Sequence, residues 1–303
     1  MKRILFIPAI VWASLFCVIR AEERESITFC AYNLQNYLGM ERFVRGAREP
    51  DQQKPEKQIA AVVRFLAQIK PDALGVCEIG QEADMRDLQR RLKEAGLDLP
   101  NSEYCHGGDP NRRLALLTRL PIIARNSQTD LKYQIGDQVF PVQRGFLDAT
   151  LELRPGLELR CLGVHLKSKR PVPEADESIM RRNEAHLLRK HLDDIITKDA
   201  GAKVLLYGDF NEHRHEAPLV EITGTPSTPG GLYELHLRDE RNETWTHYWK
   251  DADVYSRFDY FFFTKTLTKY IDRKNSNVFD TPEYYDGSDH RPIICRIRLH
   301  PSR

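Results

Sequence analysis

Short apolar runs bounded by turn-forming residues recur along this chain, and they constrain its fold more than any other feature. Residues 28–32, 73–77, 114–118, 147–153, 157–164, 204–207, 258–263 and 292–299 have the length and content of buried or half-buried strands. The last alternates, with Ile293, Cys295, Ile297 and Leu299 on one face and Arg296 and Arg298 on the other. Helical spacing is rarer. It predicts a helix over 57–69 (Ile59, Val62, Val63, Leu66) that Pro71 stops, and a second over 84–95 (Met85, Leu88, Leu92) closed by Gly96. A third is expected near 178–197 (Leu187, Leu188, His191, Leu192, Ile195). Strands are too many, and too unevenly interleaved with helices, for a simple βαβ series, so two packed sheets flanked by helices are expected. At 303 residues and 41% apolar, the chain can bury a large core. No linker-like break follows residue 22 and no internal repeat is evident. The Pro/Gly/Thr-rich stretches 170–176 and 223–231 read as loops, which leaves one domain over 22–303.

Residues 1–21 differ in kind. Lys2 and Arg3 precede an apolar run from Ile4 to Ile19, which ends near Ala21 before Glu22 and Glu23. This is the pattern of a cleaved signal peptide, although Arg20 sits awkwardly in the exit, and it implies a secreted or periplasmic protein; the alternative is an uncleaved membrane anchor, for which the run is somewhat short. No second stretch is long and apolar enough to span a bilayer, so no stable membrane span is expected after cleavage. Losing Lys2, Arg3 and Arg20 leaves 42 basic against 44 acidic residues and moves the formal charge from +1 to −2. A global basic excess is therefore absent, and any basic surface must be local. Arg42, Arg45 and Arg48, then Arg112 and Arg113, and Lys167, Lys169 and Arg170 are the candidates. Five widely spaced cysteines remain, with no CxxC pair to suggest zinc. Cys30, Cys77, Cys161 and Cys295 lie in apolar runs and read as buried small hydrophobes; one disulfide is compatible with an oxidising compartment.

Several strands deliver a polar residue at their end: Asn33, Glu78, His165, and Asp209 with Asn211 two residues on. Asp289 and His290 stand at the mouth of the final strand, and Asp259 is embedded among Phe258, Tyr260, Phe261 and Phe262. Alone, each is as well explained as a turn former, a cap or a rim histidine. Asp259 is harder to dismiss, because an unpaired buried carboxylate is costly and calls for a partner such as histidine. Together these residue types divide the labour of phosphoester hydrolysis. A carboxylate and a neutral oxygen (Glu78, Asn33) suit a Mg²⁺ ion that keeps water and substrate ligands. Asp209 and Asn211 on one turn can polarise and orient water, while His165 and His290 can donate hydrogen bonds to phosphoryl oxygens or protonate a leaving group. Asp259 can hold the tautomer or raise the pKa of a histidine.

The segments Tyr32-Asn33-Leu34-Gln35-Asn36-Tyr37, Gly75-Val76-Cys77-Glu78, Val164-His165-Leu166-Lys167-Ser168, Gly208-Asp209-Phe210-Asn211, Arg257-Phe258-Asp259-Tyr260 and Ser288-Asp289-His290-Arg291-Pro292 resemble the successive motifs of the endonuclease/exonuclease/phosphatase superfamily. They occur in that family's order across 28–299. The resemblance implies a DNase I-like four-layer α/β sandwich, with two mainly antiparallel sheets face to face and helices outside. It implies Mg²⁺, or Mn²⁺ in its place, and in-line attack by water. Position by position, it implies Asn33 and Glu78 as metal ligands and His165 as the histidine of the deoxyribonuclease-like branch. Asp209 and Asn211 match the water-orienting pair, Asp259 and His290 the Asp–His dyad, and Asp289 a further metal ligand. Cys77 departs from the Gln that commonly precedes the Glu.

The same resemblance places phosphate-contacting side chains near Arg113, in Asn111-Arg112-Arg113, and near Arg144; solvated loop arginines are the alternative. His213 and His215 lack a third nearby ligand and read as surface residues, and Trp245 and Trp249 as core or rim packing, with base or sugar stacking the alternative. A secreted nuclease cleaving nucleic-acid phosphodiesters is the leading expectation. Its rivals are a hydrolase of phospholipid head groups, inositol phosphates or a small phosphoester, and a binding protein of the same fold that has lost its chemistry.

Overall fold

A computed structural model describes residues 25–302, so the expected signal peptide lies outside the described residues. The chain begins with β1 (Ser26–Tyr37), a hairpin of β2 (Met40–Val44) and β3 (Ala47–Gln52), and α1 (Glu56–Ile69). Next come β4 (Ala73–Ile79), α2 (Glu82–Glu94), β5 (Asn101–Cys105), β6 (Arg113–Thr118), β7 (Ile122–Arg125) and a hairpin of β8 (Lys132–Ile135) and β9 (Gln138–Pro141). The second half holds β10 (Leu147–Arg154), β11 (Leu157–His165), α3 (Glu177–Lys198), β12 (Val204–Asp209), α4 (Ala217–Thr223) and β13 (Leu232–Glu234). A small hairpin, β14 (His247–Trp249) and β15 (Val254–Ser256), precedes β16 (Asp259–Thr264), β17 (Ile271–Val278) and β18 (Ile293–Arg298).

Two six-stranded sheets dominate, in the orders β17-β18-β1-β4-β6-β5 and β13-β16-β12-β11-β10-β7. Each is antiparallel except for one central parallel pair, β1 with β4 and β11 with β12. A parallel pair needs a crossover, and α1 and α3 supply the two. The halves therefore share one plan: β1-α1-β4 corresponds to β11-α3-β12, with antiparallel neighbours in matching positions. The sequence shows no repeat because the shared feature is connectivity, not side chains.

Strand alternation sorts side chains into layers. Ile27, Phe29 and Ala31 point into the space between the sheets, where they join Leu116, Leu151, Leu159, Leu205, Phe261, Cys295 and Ile297. Cys30, Tyr32 and Leu34 point outward under Ile59, Val62 and Leu66 of α1 and Leu88 and Leu92 of α2. Leu162, Val164 and Leu206 pack under Ala185, Leu188 and Leu192 of α3. The result is the expected four-layer α/β sandwich. At its centre the Tyr207 ring lies against two glycines of the facing and neighbouring strands. A Cβ at Gly75 would sit 1.9 Å from Tyr207 Cε2, and one at Gly163 would sit 2.7 Å from its hydroxyl.

Helix ends follow local chemistry. Lys70 ends α1 in a left-handed turn, Gln81 and Asp84 form a capping box on α2, and the Asp176 carboxylate accepts from the Ser178 amide at the start of α3. The buried stripe of α3 differs from the expected one, because Arg181 and Glu184 are buried with Met180, Ala185 and Leu188. Glu184 accepts from the amides of Gln143 (2.9 Å) and Lys167 (2.7 Å), which ties the loops after β9 and β11 to the helix. The five cysteines among the described residues are all buried and unpaired.

Candidate active site

His165 and Asp209 end their strands and Asn33 and Glu78 lie towards the carboxyl ends of theirs, so the residues of the two parallel pairs meet on one rim of the sandwich. Regular strands would not aim Glu78 there. Both β1 and β4 break register at this level, and Glu78 takes φ +60°, as Gln35 (φ 46°) and Asn36 (φ 60°) leave extended geometry beside it. Such a conformation costs about 1–3 kcal/mol at a non-glycine residue. Here it swings the carboxylate onto the rim, where Oε2 accepts from the Asn36 amide at 2.9 Å.

The residues interlock. Asn33 Nδ2 donates to Asp209 Oδ2 at 2.9 Å and lies 3.4 Å from Glu78 Oε1, while its Oδ1 accepts from the Gln35 amide. Asp209 Oδ1 accepts from the Asn211 amide at 2.9 Å, and Asn211 Nδ2 donates to the Leu166 carbonyl at 3.0 Å. His165 Nε2 is 3.5 Å from Asp209 Oδ2. Asp259, at the start of β16, holds His290 Nδ1 at 2.7 Å, leaving His290 Nε2 3.7 Å from Asp209 Oδ2. Ser288 fixes this loop by donating to the Asn33 carbonyl at 2.8 Å. Behind it, fully buried Arg291 pairs with Asp239 at 2.7 Å and lies over the Trp245 ring at 3.5 Å. Trp245 thus packs as expected, but Trp249 is 57% exposed.

Burial and neighbouring charge set the protonation states. Burial would discharge His290, but the carboxylates of Asp259 and Asp209 outweigh it and raise the imidazole to about 10. Burial raises Asp209 to about 7, against the pull of the nearby His290 imidazolium. His165 is pushed well down, first by burial and then by Arg144 and Arg112. At neutral pH the rim therefore holds a charged His290, a neutral His165 and an Asp209 at the edge of ionisation.

Of the two expected phosphate arginines, the structure separates one from the site. Arg113 spends its guanidinium on the backbone carbonyls of Asp109, Arg112 and Pro110. Its neighbour Arg112 reaches the rim instead, donating to Asn36 Oδ1 at 2.8 Å and standing 3.8 Å from Glu78 Oε2. Residues at a strand start face opposite ways, so the sequence could narrow the choice to this pair and no further. Arg144 is buried with Nη2 3.2 Å from Asp109 Oδ2, and its Nε and Nη1 have no hydrogen-bond partner. Its charge also helps hold His165 below the usual imidazole range.

Two further residues carry no strand-end signal. Lys54 is buried before α1, donates to the Gln35 carbonyl at 3.0 Å, and is lowered to about 8 chiefly by burial. His247 opens β14 and forms an isolated bridge with His290. Asp289 is partly exposed and faces it, with Oδ2 3.9 Å from His247 Nε2.

The rim suits an oxygen-seeking divalent cation. Glu78 Oε1 has only long contacts, 3.4 Å to Asn33 Nδ2 and 3.9 Å to His165 Nε2, and so retains lone pairs for a hard ion. Asn33 and Glu78 would hold it, with water and substrate oxygens completing the shell.

The endonuclease/exonuclease/phosphatase family model matches residues 30–290, an interval that includes each of these rim residues. The chain belongs to that family. Comparison with curated proteins gives no sequence match. Among solved structures the fold is similar to truncated Caenorhabditis elegans TDP2, with 16% identity, a TM-score of 0.60, and 90% of this chain covering 98% of that one. It is similar also to the human Nocturnin catalytic domain (18% identity, TM-score 0.61, 90% and 94% covered). A third likeness is sphingomyelinase C from Streptomyces griseocarneus (15% identity, TM-score 0.59, 90% and 100% covered). The DNase I-like architecture is thus established, and the chain is a hydrolase acting on phosphoester bonds. The family works with a divalent cation, and acidic and histidine groups able to hold one are present on this rim. No helix among the described residues is long and apolar enough to cross a membrane.

Proposed function

We propose that this protein is an exported phosphodiesterase that uses Mg²⁺, with Mn²⁺ as a substitute, and that its substrate is nucleic acid. Export would follow cleavage after residue 21 and leave one catalytic domain. The observation that carries the chemistry is the buried Asp259–His290 pair at 2.7 Å, whose free Nε2 stands beside Asp209. When bound at Asn33 and Glu78, the cation supplies charge neutralisation at the phosphoryl oxygens. Ionised Asp209, oriented through Asn33 and the Asn211 amide, takes the proton of the attacking water. The His290 imidazolium and the neutral His165 donate hydrogen bonds where negative charge grows on the phosphoryl group. Arg112 and Arg144 attract the diester into this rim. Asp289 remains a candidate further metal ligand.

Support for a polyanionic polymer is local. The β2–β3 hairpin, anchored by Arg42 to the Asn36 carbonyl at 2.7 Å, presents exposed Arg45 and Arg48 with Phe43, which is 74% exposed. A second reading, a lipid head-group or small phosphodiester, is favoured by one feature: exposed Tyr255 and Tyr285 pack on Tyr248, whose hydroxyl donates to Asp253, with exposed Trp249 in the same hairpin, a surface poorly suited to phosphate chains. Mature protein with Mg²⁺ should be offered plasmid DNA, RNA, sphingomyelin, inositol phosphates and bis(4-nitrophenyl) phosphate. Cleavage of DNA or RNA, falling steeply with added salt, is expected. Intact nucleic acid alongside turnover of another ester would reject the nuclease.

A further inference from the structure

The proposed chemistry leaves His247 without a task, and its surroundings are unusual. It is held beside His290 by the β-bridge, with ring centroids 4.6 Å apart, and its other face lies on Phe258 at 5.4 Å. Nδ1 is buried with no hydrogen-bond partner, and Nε2 stands 3.9 Å from Asp289 Oδ2, outside hydrogen-bond range. His247 is half-buried, and a ring nitrogen shielded from solvent as its Nδ1 is ordinarily has a partner.

What surrounds it is a set of ligands. Donor atoms of His247, Asp289 and His290 all lie within 4.8 Å of one another. His290 gives its Nδ1 to Asp259 at 2.7 Å, so Nε2 is the atom left for the cluster, and it can ligate a cation only by releasing its proton to solvent. A carboxylate behind a ligating histidine is the usual support of such a ligand, fixing its ring and raising its basicity. Two donors on one ion with bonds of about 2.0–2.1 Å stand roughly 3.3 Å apart in a tetrahedral shell, so the 3.9 Å separation of His247 and Asp289 closes with a small side-chain movement. The chemistry also differs from that of the Asn33–Glu78 pair. Oxygen donors suit Mg²⁺, whereas imidazoles with one carboxylate select Zn²⁺ and similar borderline ions.

We propose that His247, Asp289 and His290 form a binding site for a nitrogen-seeking divalent cation such as Zn²⁺, separate from the oxygen site at Asn33 and Glu78, and that its occupation withdraws His290 from the phosphate and stops hydrolysis. The inhibitory half rests on the phosphodiesterase reading; the binding half does not.

The test uses the mature protein and two readouts. Co²⁺ is added and the visible ligand-field absorption recorded, then Zn²⁺ is titrated to displace it. Separately, Zn²⁺ is titrated into the Mg²⁺-supported hydrolysis of bis(4-nitrophenyl) phosphate. Wild type should show a nitrogen-ligated Co²⁺ band that Zn²⁺ abolishes, and inhibition that a chelator followed by Mg²⁺ reverses. In His247→Ala and His247→Gln, with melting curves matched to wild type, the band should weaken. Half-inhibition, normalised to each variant's own Mg²⁺ rate, should require at least ~10-fold more Zn²⁺. An unchanged band and unchanged Zn²⁺ sensitivity in both variants overturn the site. A band that depends on His247 in a protein that hydrolyses no phosphoester would sustain the site while rejecting the proposed function.

Discussion

Replacing Asp259 with Asn tests the proposed chemistry most directly. The exchange is isosteric, and the backbone amide of residue 259 keeps its bond to Thr246 Oγ1 at 3.1 Å, so the fold should survive. What disappears is the negative charge 2.7 Å from His290 Nδ1, in a place where both partners are buried. The rise of His290 from 6.5 to about 10 amounts to roughly 5 kcal/mol of preference for the imidazolium. That preference is opposed by burial and shared among Asp259, Asp209 and Asp289, with Asp259 the largest contributor. If Asp259 accounts for about half of the net rise, its loss removes roughly 2–3 kcal/mol of that preference and moves the alkaline limb down by about two pH units. The assay is kcat and KM for bis(4-nitrophenyl) phosphate with saturating Mg²⁺ across pH 6–11, beside a thermal melt by circular dichroism. kcat should fall with KM little changed, and the alkaline limb should move to lower pH. A well-folded variant with near wild-type kcat and an unmoved alkaline limb would refute the role given to the pair.

The wild-type profile should itself be a bell. Activity rises as Asp209 ionises near about 7 and falls as His290 loses its proton near about 10, and bound cation should pull the acid limb below 7; a flat profile would contradict both assignments. Glu78→Gln keeps the shape of the strained residue but removes its charge, so calorimetry should find Mg²⁺ affinity reduced and turnover down at least ~10²-fold. Arg144→Ala should raise KM for a polymeric substrate and flatten its salt dependence, whereas Arg113→Ala should do neither. Gly75→Ala drives a methyl into Tyr207 and should lower unfolding free energy by about 1–3 kcal/mol in denaturant titration, with the active-site pH profile retained.

The apolar runs were sufficient to locate the principal strands, because a strand buried on both faces must be apolar throughout. They also located the rim residues, since Asn33, Glu78, His165 and Asp209 interrupt that apolarity at or near the carboxyl end of a strand. What the sequence left open were choices that depend on distant partners. Pairing decided that two β-α-β crossovers would be set into facing sheets, and that β2–β3, β8–β9 and β14–β15 would form small hairpins whose mixed composition carries no clear period. A register break in β1 and β4 decided where Glu78 points, and the same break brought Asn36 to Arg112 in place of Arg113. Lys54 and His247 acquired their surroundings only when segments remote in sequence closed over them. Residue chemistry therefore determined which reaction the chain could attempt. Tertiary structure decided which nitrogen faces which oxygen, because distance and burial, not residue type, set the charge each group carries.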